Sequence, residues 1–204
     1  MKYFLDTEFI EGFHKPLFGK RRHFIDLISI GIVAEDGRTY HAVSREFNPK
    51  DADQWVKDNV IAKLPNRHIN QLSSPRHREE SRLWKSNAQI KAELLAFFGY
   101  KPTWGDYGSM AMSPDNDIQI YAYYADYDWV VFCSLFGRMI DLPEGMPMYC
   151  RDLKQMVDNY IDTHLGSSLE SLKADANYPI QENEHSALDD AIWNFHLYNF
   201  LQNV

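Results

Sequence analysis

Three acidic clusters and one histidine are the residues of this chain whose types and spacing could do chemistry. They are Asp6 with Glu8, Asp126 with Asp128, and Asp189 with Asp190 shortly after His185. Asp6 and Glu8 fall in Met1–Ile10, whose aromatic and β-branched residues predict a strand over 2–10. Side chains alternate across a strand, so the two carboxylates share a face, about 7 Å apart, and can lean toward one bound ion. Such a pair among apolar neighbours is costly to bury unless something positive neutralises it, and a hard divalent cation is one candidate. Taken singly, each cluster also has an ordinary structural account. Asp6 and Glu8 could line a solvated edge. Acids in the first turn of a helix complement its macrodipole, which would explain the other two pairs, and His185 could be a partly buried polar residue.

The elements that must position these residues follow from pattern. Glu11–His23 is broken by Gly12, Pro16 and Gly19 and predicts a loop, made basic by Lys15, Lys20, Arg21 and Arg22; it is either solvated or phosphate-contacting. Phe24–Val33 predicts a buried strand, Asp36-Gly37 a hairpin turn, and Thr39–Phe47 a third strand, which makes the first 47 residues an antiparallel meander. Helical spacing runs over 51–64 and stops before Pro65. Residues 66–85 are polar without clear periodicity and read as an insert, either a phosphate-contacting lid or a disordered surface segment. Asn87 is placed to cap a helix running to about Phe98, and 99–117 reads as loop. Ile118–Ala125 predicts a fourth strand, followed by a helix from an Asp126 N-cap to Gly137. A short strand at 146–150, a helix from Arg151 or Asp152 to about Tyr160, and a loop or short helix at 166–183 come next. The last helix begins near Ser186, with Leu188, Ala191, Ile192, Phe195 and Tyr198 at helical spacing. Strands first and βα units second predict one α/β domain over 1–204, built on a mixed sheet of about five strands flanked by α-helices.

Bulk properties narrow the classes. The 204 residues suffice for one domain with a substantial core, and 45% hydrophobic with 25% charged residues is an ordinary globular composition. A formal net charge of -8 argues against binding nucleic acid through overall charge, yet suits an enzyme whose carboxylates are relieved by metal ions. Cys133 and Cys150 form neither a disulfide framework nor a zinc motif and read as buried free thiols. The N-terminal apolar run is short and carries two acids, so it is no signal peptide. No stretch approaches the roughly 18 apolar residues of a membrane span. A cytoplasmic protein without a membrane partner is expected.

Taken together, the clusters resemble a known pattern. Asp6-Thr-Glu8, Tyr124-Ala-Asp-Tyr-Asp128 and His185-Ser-Ala-Leu-Asp-Asp190 are similar to the three exonuclease motifs of the DEDDh superfamily. The third motif, His and then Asp after four intervening residues, selects Asp190 over Asp189. The second, usually Asn-Ala-x-Phe-Asp, selects Asp128 and puts Tyr127 at the aromatic position; Tyr124 stands where Asn is common. The closer resemblance is to the exoribonuclease AS type, the polyadenylate-specific 3'-5' exoribonucleases. It is carried by Tyr3-Phe-x-Asp-Thr-Glu-Phe-Ile10, Leu27-Ile-Ser-Ile-Gly-Ile-Val-Ala-Glu-Asp-Gly37, Ala42-Val-Ser44 and the second and third motifs, and so spans most of the chain in order. The basic 11–23 and polar 66–85 segments are longer than the family minimum.

The resemblance implies a ribonuclease H-like fold and two Mg²⁺ ions, for which Mn²⁺ can substitute. Asp6 would be the bridging ligand, with Glu8, Asp128 and Asp190 completing the site. His185 would be the general base, since an imidazole can take a proton near neutral pH. Thr7, Phe9 and Tyr127 are candidates to bind the terminal nucleotide, the two rings by stacking. The function this predicts is hydrolysis of phosphodiester bonds from RNA 3' ends by two-metal chemistry. The same site acting on DNA, and a non-catalytic nucleic-acid-binding module, are the competing readings. The family's members commonly pair, which predicts a homodimer.

Overall fold

The computed structural model describes residues 1–14, 19–68, 74–104, 110–164, 166 and 168–203. Eight strands are present among them: β1 (Lys2–His14), β2 (Arg22–Ala34), β3 (Thr39–Ser44), β4 (Trp84–Lys85), β5 (Tyr100–Trp104), β6 (Met110–Pro114), β7 (Gln119–Ala122) and β8 (Arg151–Asp152). The helices are α1 (Gln54–Asn59), α2 (Pro75–Arg82), α3 (Asn87–Phe97), α4 (Ala125–Ser134), α5 (Leu153–Thr163), α6 (Leu169–Lys173) and α7 (Ala187–Asn203).

Six of the strands form one sheet in the order β4-β3-β2-β1-β7-β8, so β1 lies inside the sheet rather than at an edge. β1, β2 and β3 are antiparallel, as their hairpin signals require; Gly37 closes the β2–β3 turn at φ 89°. β4, β7 and β8 join parallel to their neighbours through helical crossovers. The sheet is therefore mixed, with six strands where about five were expected.

The two faces of β1 have different partners. Tyr3 and Leu5 point into the core formed with α3 and α4, through Ile90, Leu94, Phe98 and Phe132. Phe4 points the other way, into the core under α5 and α7, with Leu153, Val157, Ala191 and Leu197. Asp6 and Glu8 continue the Phe4 face and so arrive beneath α7. A β-bulge follows at once: Glu8 pairs with Ser29 but Phe9 with Leu27, which leaves Ile28 as the extra residue. Bulges bend a strand and re-aim its side chains. Beyond it, Ile10 and Ile28 enter a third core with Val43, Val60 and Trp84 beneath α1.

The helix α7 comes unusually close to the sheet. The residues that press on it are Ala187, Ala191, Asn194 and Leu197, while Leu188, Ile192, Phe195 and Tyr198 are only partly buried. The expected stripe packs on the core from the flank, with Phe195 and Tyr198 against Phe4, while the small Ala187 and Ala191 lie at the closest approach to the sheet. Gly31, cross-strand partner of Asp6, is where helix and sheet meet. A Cβ added there would lie 2.1 Å from the Ala187 carbonyl oxygen and 2.5 Å from Leu188 Cα.

Several expected loops are ordered. The 11–23 segment continues the β1–β2 ribbon through Glu11–His14 and Arg22–His23, held by a 2.7 Å Glu11–His23 contact; Lys15 and Pro16 lie outside the described residues. Alternation in the flanking arms outweighs the glycine and proline signals. Within 66–85, α2 starts at a Ser74 cap with Pro75 at its first turn, and β4 follows. α2 lacks an apolar stripe; its cap and an Arg76–Glu80 pair four residues apart support it, which is why periodicity misses it. Residues 69–73 lie outside the described set. The 99–117 segment holds the β5–β6 hairpin, a separate two-stranded sheet in which every strand has a free edge and so tolerates Pro102 and Pro114. β3 ends at Ser44, α1 covers only part of 51–64 before a 3₁₀ turn at Ile61–Lys63, and the expected 146–150 strand lies at Arg151–Asp152. α4 begins at Ala125 with Tyr124, not Asp126, as its N-cap, and Ser86 caps α3 in a capping box with Gln89. Among the described residues no helix is long and apolar enough to cross a membrane.

Gly31→Ala must push the start of α7 off β2. Overpacking of this kind costs about 1–3 kcal/mol or more, read as a lower midpoint in urea unfolding. A midpoint equal to the wild type would show that α7 can retreat freely.

Candidate functional site

β7 stops at Ala122 and α4 begins three residues later at Ala125, so β1 beyond Phe4 has no strand on that side. Two main-chain groups of β1 are left facing the gap, the Leu5 carbonyl and the Thr7 N–H. Buried backbone groups must be paired. Asn194 of α7 donates its Nδ2 to the Leu5 oxygen at 2.9 Å. Asp128 of α4 accepts the Thr7 N–H at 2.8 Å and the Thr7 hydroxyl at 2.6 Å, both on Oδ1. The two helices are thereby pinned to the central strand just past the point where β7 leaves it, each by one polar side chain.

On the other face, Asp6, Glu8 and Asp190 each offer a carboxylate oxygen, and these oxygens lie within 4.8 Å of one another. Asp190 is buried and held from both sides: Gln181 Nε2 donates to Oδ1 at 2.7 Å and the His185 N–H to Oδ2 at 2.8 Å. Asp128 is buried beside this set, with Oδ2 outside its bonds to Thr7. Asp126 is exposed in the first turn of α4, and Asp189 in the first turn of α7 is outside the oxygen set.

The acids feel their confinement. Burial raises Asp6 well above the ordinary carboxylate range, and Asp128, Glu8 and Asp190 add to it. Burial and then the charges of Asp190 and Asp128 push Glu8 to about 8, against a downward pull from Lys63. Burial raises Asp128 to about 7 in spite of the two Thr7 hydrogen bonds. Asp190 is raised by burial too, opposed by Gln181 and the His185 N–H.

His185 sits just before α7 at φ 65°, after Asn183 at φ 50°. Its ring meets the Trp55 ring edge-on, with centroids 4.8 Å apart, and Lys63 Nζ donates to the neighbouring Glu184 carbonyl at 2.7 Å. The α1 region thus supports the loop that carries His185. Phe9 and Tyr127 stack on each other, 5.6 Å apart and 7° from parallel, with Tyr127 48% exposed. A cavity of about 470 Å³ contains all four acids and Thr7, walled by Phe9, Tyr124 and Tyr127 on one side and by Gln181, His185 and Trp193 on the other. A larger cavity of about 670 Å³ along the far half of α7 has no acidic lining.

All eight singled-out residues therefore border one cavity, although Thr7 has both its polar groups engaged by Asp128. Sequence reasoning missed Gly31, Asn194, Gln181, Lys63 and Trp55. Only Gly31 carried a signal, as a glycine inside an apolar strand, which marks close backbone approach.

Fold and site together define an α/β protein with a confined all-oxygen cluster on its central strand, where the neighbouring strand β7 stops, the kind of donor set that hard divalent cations favour. The chain belongs to the Rv2179c-like 3'-5' exoribonuclease domain family, whose profile matches residues 1–202. The 3'-5' exoribonuclease Rv2179c of Mycobacterium tuberculosis strain H37Rv is 38% identical over 156 residues, covering 76% of this chain and 73% of that protein. The 3'-5' exoribonuclease MT2234.1 of strain CDC 1551 matches to the same extent, 38% over 156 residues. A chain in the structure of the yeast NOT1 MIF4G domain co-crystallized with CAF1, a complex of two proteins, superposes with a TM-score of 0.53 at 13% identity, over 99% of this chain and 79% of that one, a likeness of fold alone.

Carboxyls raised in this way bind protons more tightly folded than unfolded. Their contribution favours the metal-free fold at low pH and is lost as pH climbs from the ordinary carboxylate range through about 7 for Asp128 and about 8 for Glu8. The Tm of metal-free protein should therefore fall between pH 6 and 8.5. Asp6→Asn should raise it at pH 8 by about 2–4 °C for each kcal/mol of repulsion removed. A flat profile, unchanged by the substitution, would refute the electrostatic account.

Proposed function

We propose that this chain is a metal-dependent 3'-5' exoribonuclease of the DEDDh type on a ribonuclease H-like fold, closest in kind to the exoribonuclease AS enzymes. The observation that carries the reading is the meeting of Asp6, Glu8 and Asp190 oxygens within 4.8 Å in a chain of an exoribonuclease domain family. Such spacing suits oxygen ligands of Mg²⁺ or Mn²⁺, and the upward push on the acids is what a cation would relieve.

Asp6, on which Asp128, Glu8 and Asp190 all act, would be a ligand whose charge the bound metal relieves. Glu8, Asp190 and the open Oδ2 of Asp128 complete the donor set. Two bound Mg²⁺ ions would activate the attacking water and stabilise charge on the leaving 3'-oxygen. His185 takes the proton from that water; its main chain is tied to Asp190 and its ring is steadied by Trp55. Thr7 holds Asp128 in position, and the outer face of Tyr127, backed by Phe9, stacks on the terminal base.

The β1–β2 ribbon supports a nucleic-acid substrate in a chain of net charge -8. It leaves the site at Phe9 and carries the exposed Lys20, Arg21 and Arg22 outward, a local basic arm for phosphates. RNA is favoured over DNA by the relatives' own description as exoribonucleases.

A 5'-labelled RNA should be shortened stepwise from its 3' end in Mg²⁺. Asp128→Asn should reduce this to background with the circular dichroism spectrum retained, and chelation should do the same reversibly. Undiminished degradation in either case would sink the assignment. A matched DNA strand should be degraded more slowly; equal rates would favour the deoxyribonuclease reading.

A further inference from the structure

Tyr124 breaks two local rules in the wall of the acid cavity. It is the N-cap of α4 yet offers no side-chain cap, and its backbone is left-handed at φ 55°, ψ 50°. An asparagine would suit both demands, since it caps helices and tolerates the left-handed region, whereas a bulky side chain is an outlier there. The conformation is held from outside: the Tyr124 N–H reaches Asp152 Oδ1 at 3.3 Å, and Asp152 is also the N-cap of α5. Apolar burial does not explain the ring either, because Tyr124 is 64% exposed. Its ring meets that of Tyr123 edge-on, at 4.8 Å and 73°.

We propose that Tyr124 is a specificity-determining residue that stacks on the base of the penultimate nucleotide of a single-stranded RNA. This rests on the exoribonuclease reading, in which Tyr127 receives the terminal base. Tyr124 immediately precedes α4, whose first turn carries Tyr127, and both border the same cavity. With the terminal base on Tyr127, the neighbouring ring is met by the next base upstream. Strain retained at a cavity wall is explained by a contact that only an aromatic face can make. The site thus recognises at least two nucleotides, by stacking and so with little regard to base identity.

Two substrates separate this role from a structural one: a short single-stranded RNA, and the p-nitrophenyl ester of uridine monophosphate, which has a terminal nucleotide but no base upstream. In Tyr124→Asn, the ratio of kcat/KM for RNA to kcat/KM for the ester should fall roughly tenfold or more. The same variant should have a raised Tm, because the left-handed backbone is relieved and a cap is gained. Tyr124→Phe keeps the ring and should keep the wild-type ratio. A ratio unchanged in Tyr124→Asn, or lost equally in Tyr124→Phe, overturns the stacking role. Wild-type protein inactive on both substrates overturns the exoribonuclease reading itself, and that outcome is distinct from an active enzyme with an unaltered ratio.

Discussion

Asp128 and Asn194 are the two side chains that pair with β1 where its pairing with β7 ends, and the rest of the site depends on that substitution. Where β7 stops, β1 presents a carbonyl and an N–H that no strand pairs, and a helix from each side of the sheet supplies the missing partner. Satisfying those groups is obligatory in a buried position. The requirement therefore brings one acid from α4 against Thr7 and sets α7 at the height where Asp190 faces Asp6. Gly31 and the alanines of α7 give the helix room to come that close. The acid cluster is a consequence of sheet topology, not an accident of surface charge.

Confinement then sets the electrostatics. Four carboxylates share a space in which burial already penalises charge, and each raises its neighbours. The compensation supplied by protein is partial: Thr7 for Asp128, Gln181 and one N–H for Asp190, and the distant pull of Lys63 for Glu8. A protein optimised for stability alone would not keep this arrangement, since buried like charges are among the more costly features of a fold. The wall opposite is supported in the same spirit, with Trp55 and Lys63 bracing a loop that holds two non-glycine residues at positive φ.

Much of this was legible in residue order, and the rest was not for identifiable reasons. The two-residue spacing of Asp6 and Glu8 dictates a shared face wherever a strand forms, and the β1–β2–β3 meander follows from alternation and Asp36-Gly37. Periodicity does not choose between Asp189 and Asp190, whereas the spacing of the third motif does, and the rotation of α7 brings Asp190 beside Asp6. Close approach is written in small residues, which carry little hydrophobic signal. The β5–β6 hairpin hid behind prolines that a two-stranded sheet tolerates, and α2 behind its polarity. Tyr124 was legible as a departure from the asparagine common in the second motif, but its left-handed backbone was not, because Asp152, which holds it, lies twenty-eight residues away.

An acidic chain that handles a polyanion faces a problem of affinity, and the cavity's composition suggests how it is met. With a net charge of -8, long-range attraction by the whole chain does not supply binding, and positive charge is gathered locally, as in Lys20, Arg21 and Arg22 leading into β2. Aromatic faces attract bases without reference to charge, and Phe9, Tyr124, Tyr127 and Trp193 all border the acids. On the exoribonuclease reading, stacking holds the strand while the carboxylates stay free for cations, so recognition and chemistry use different forces within one small volume. That separation explains why a strained tyrosine is tolerated where a capping asparagine would make the fold more stable.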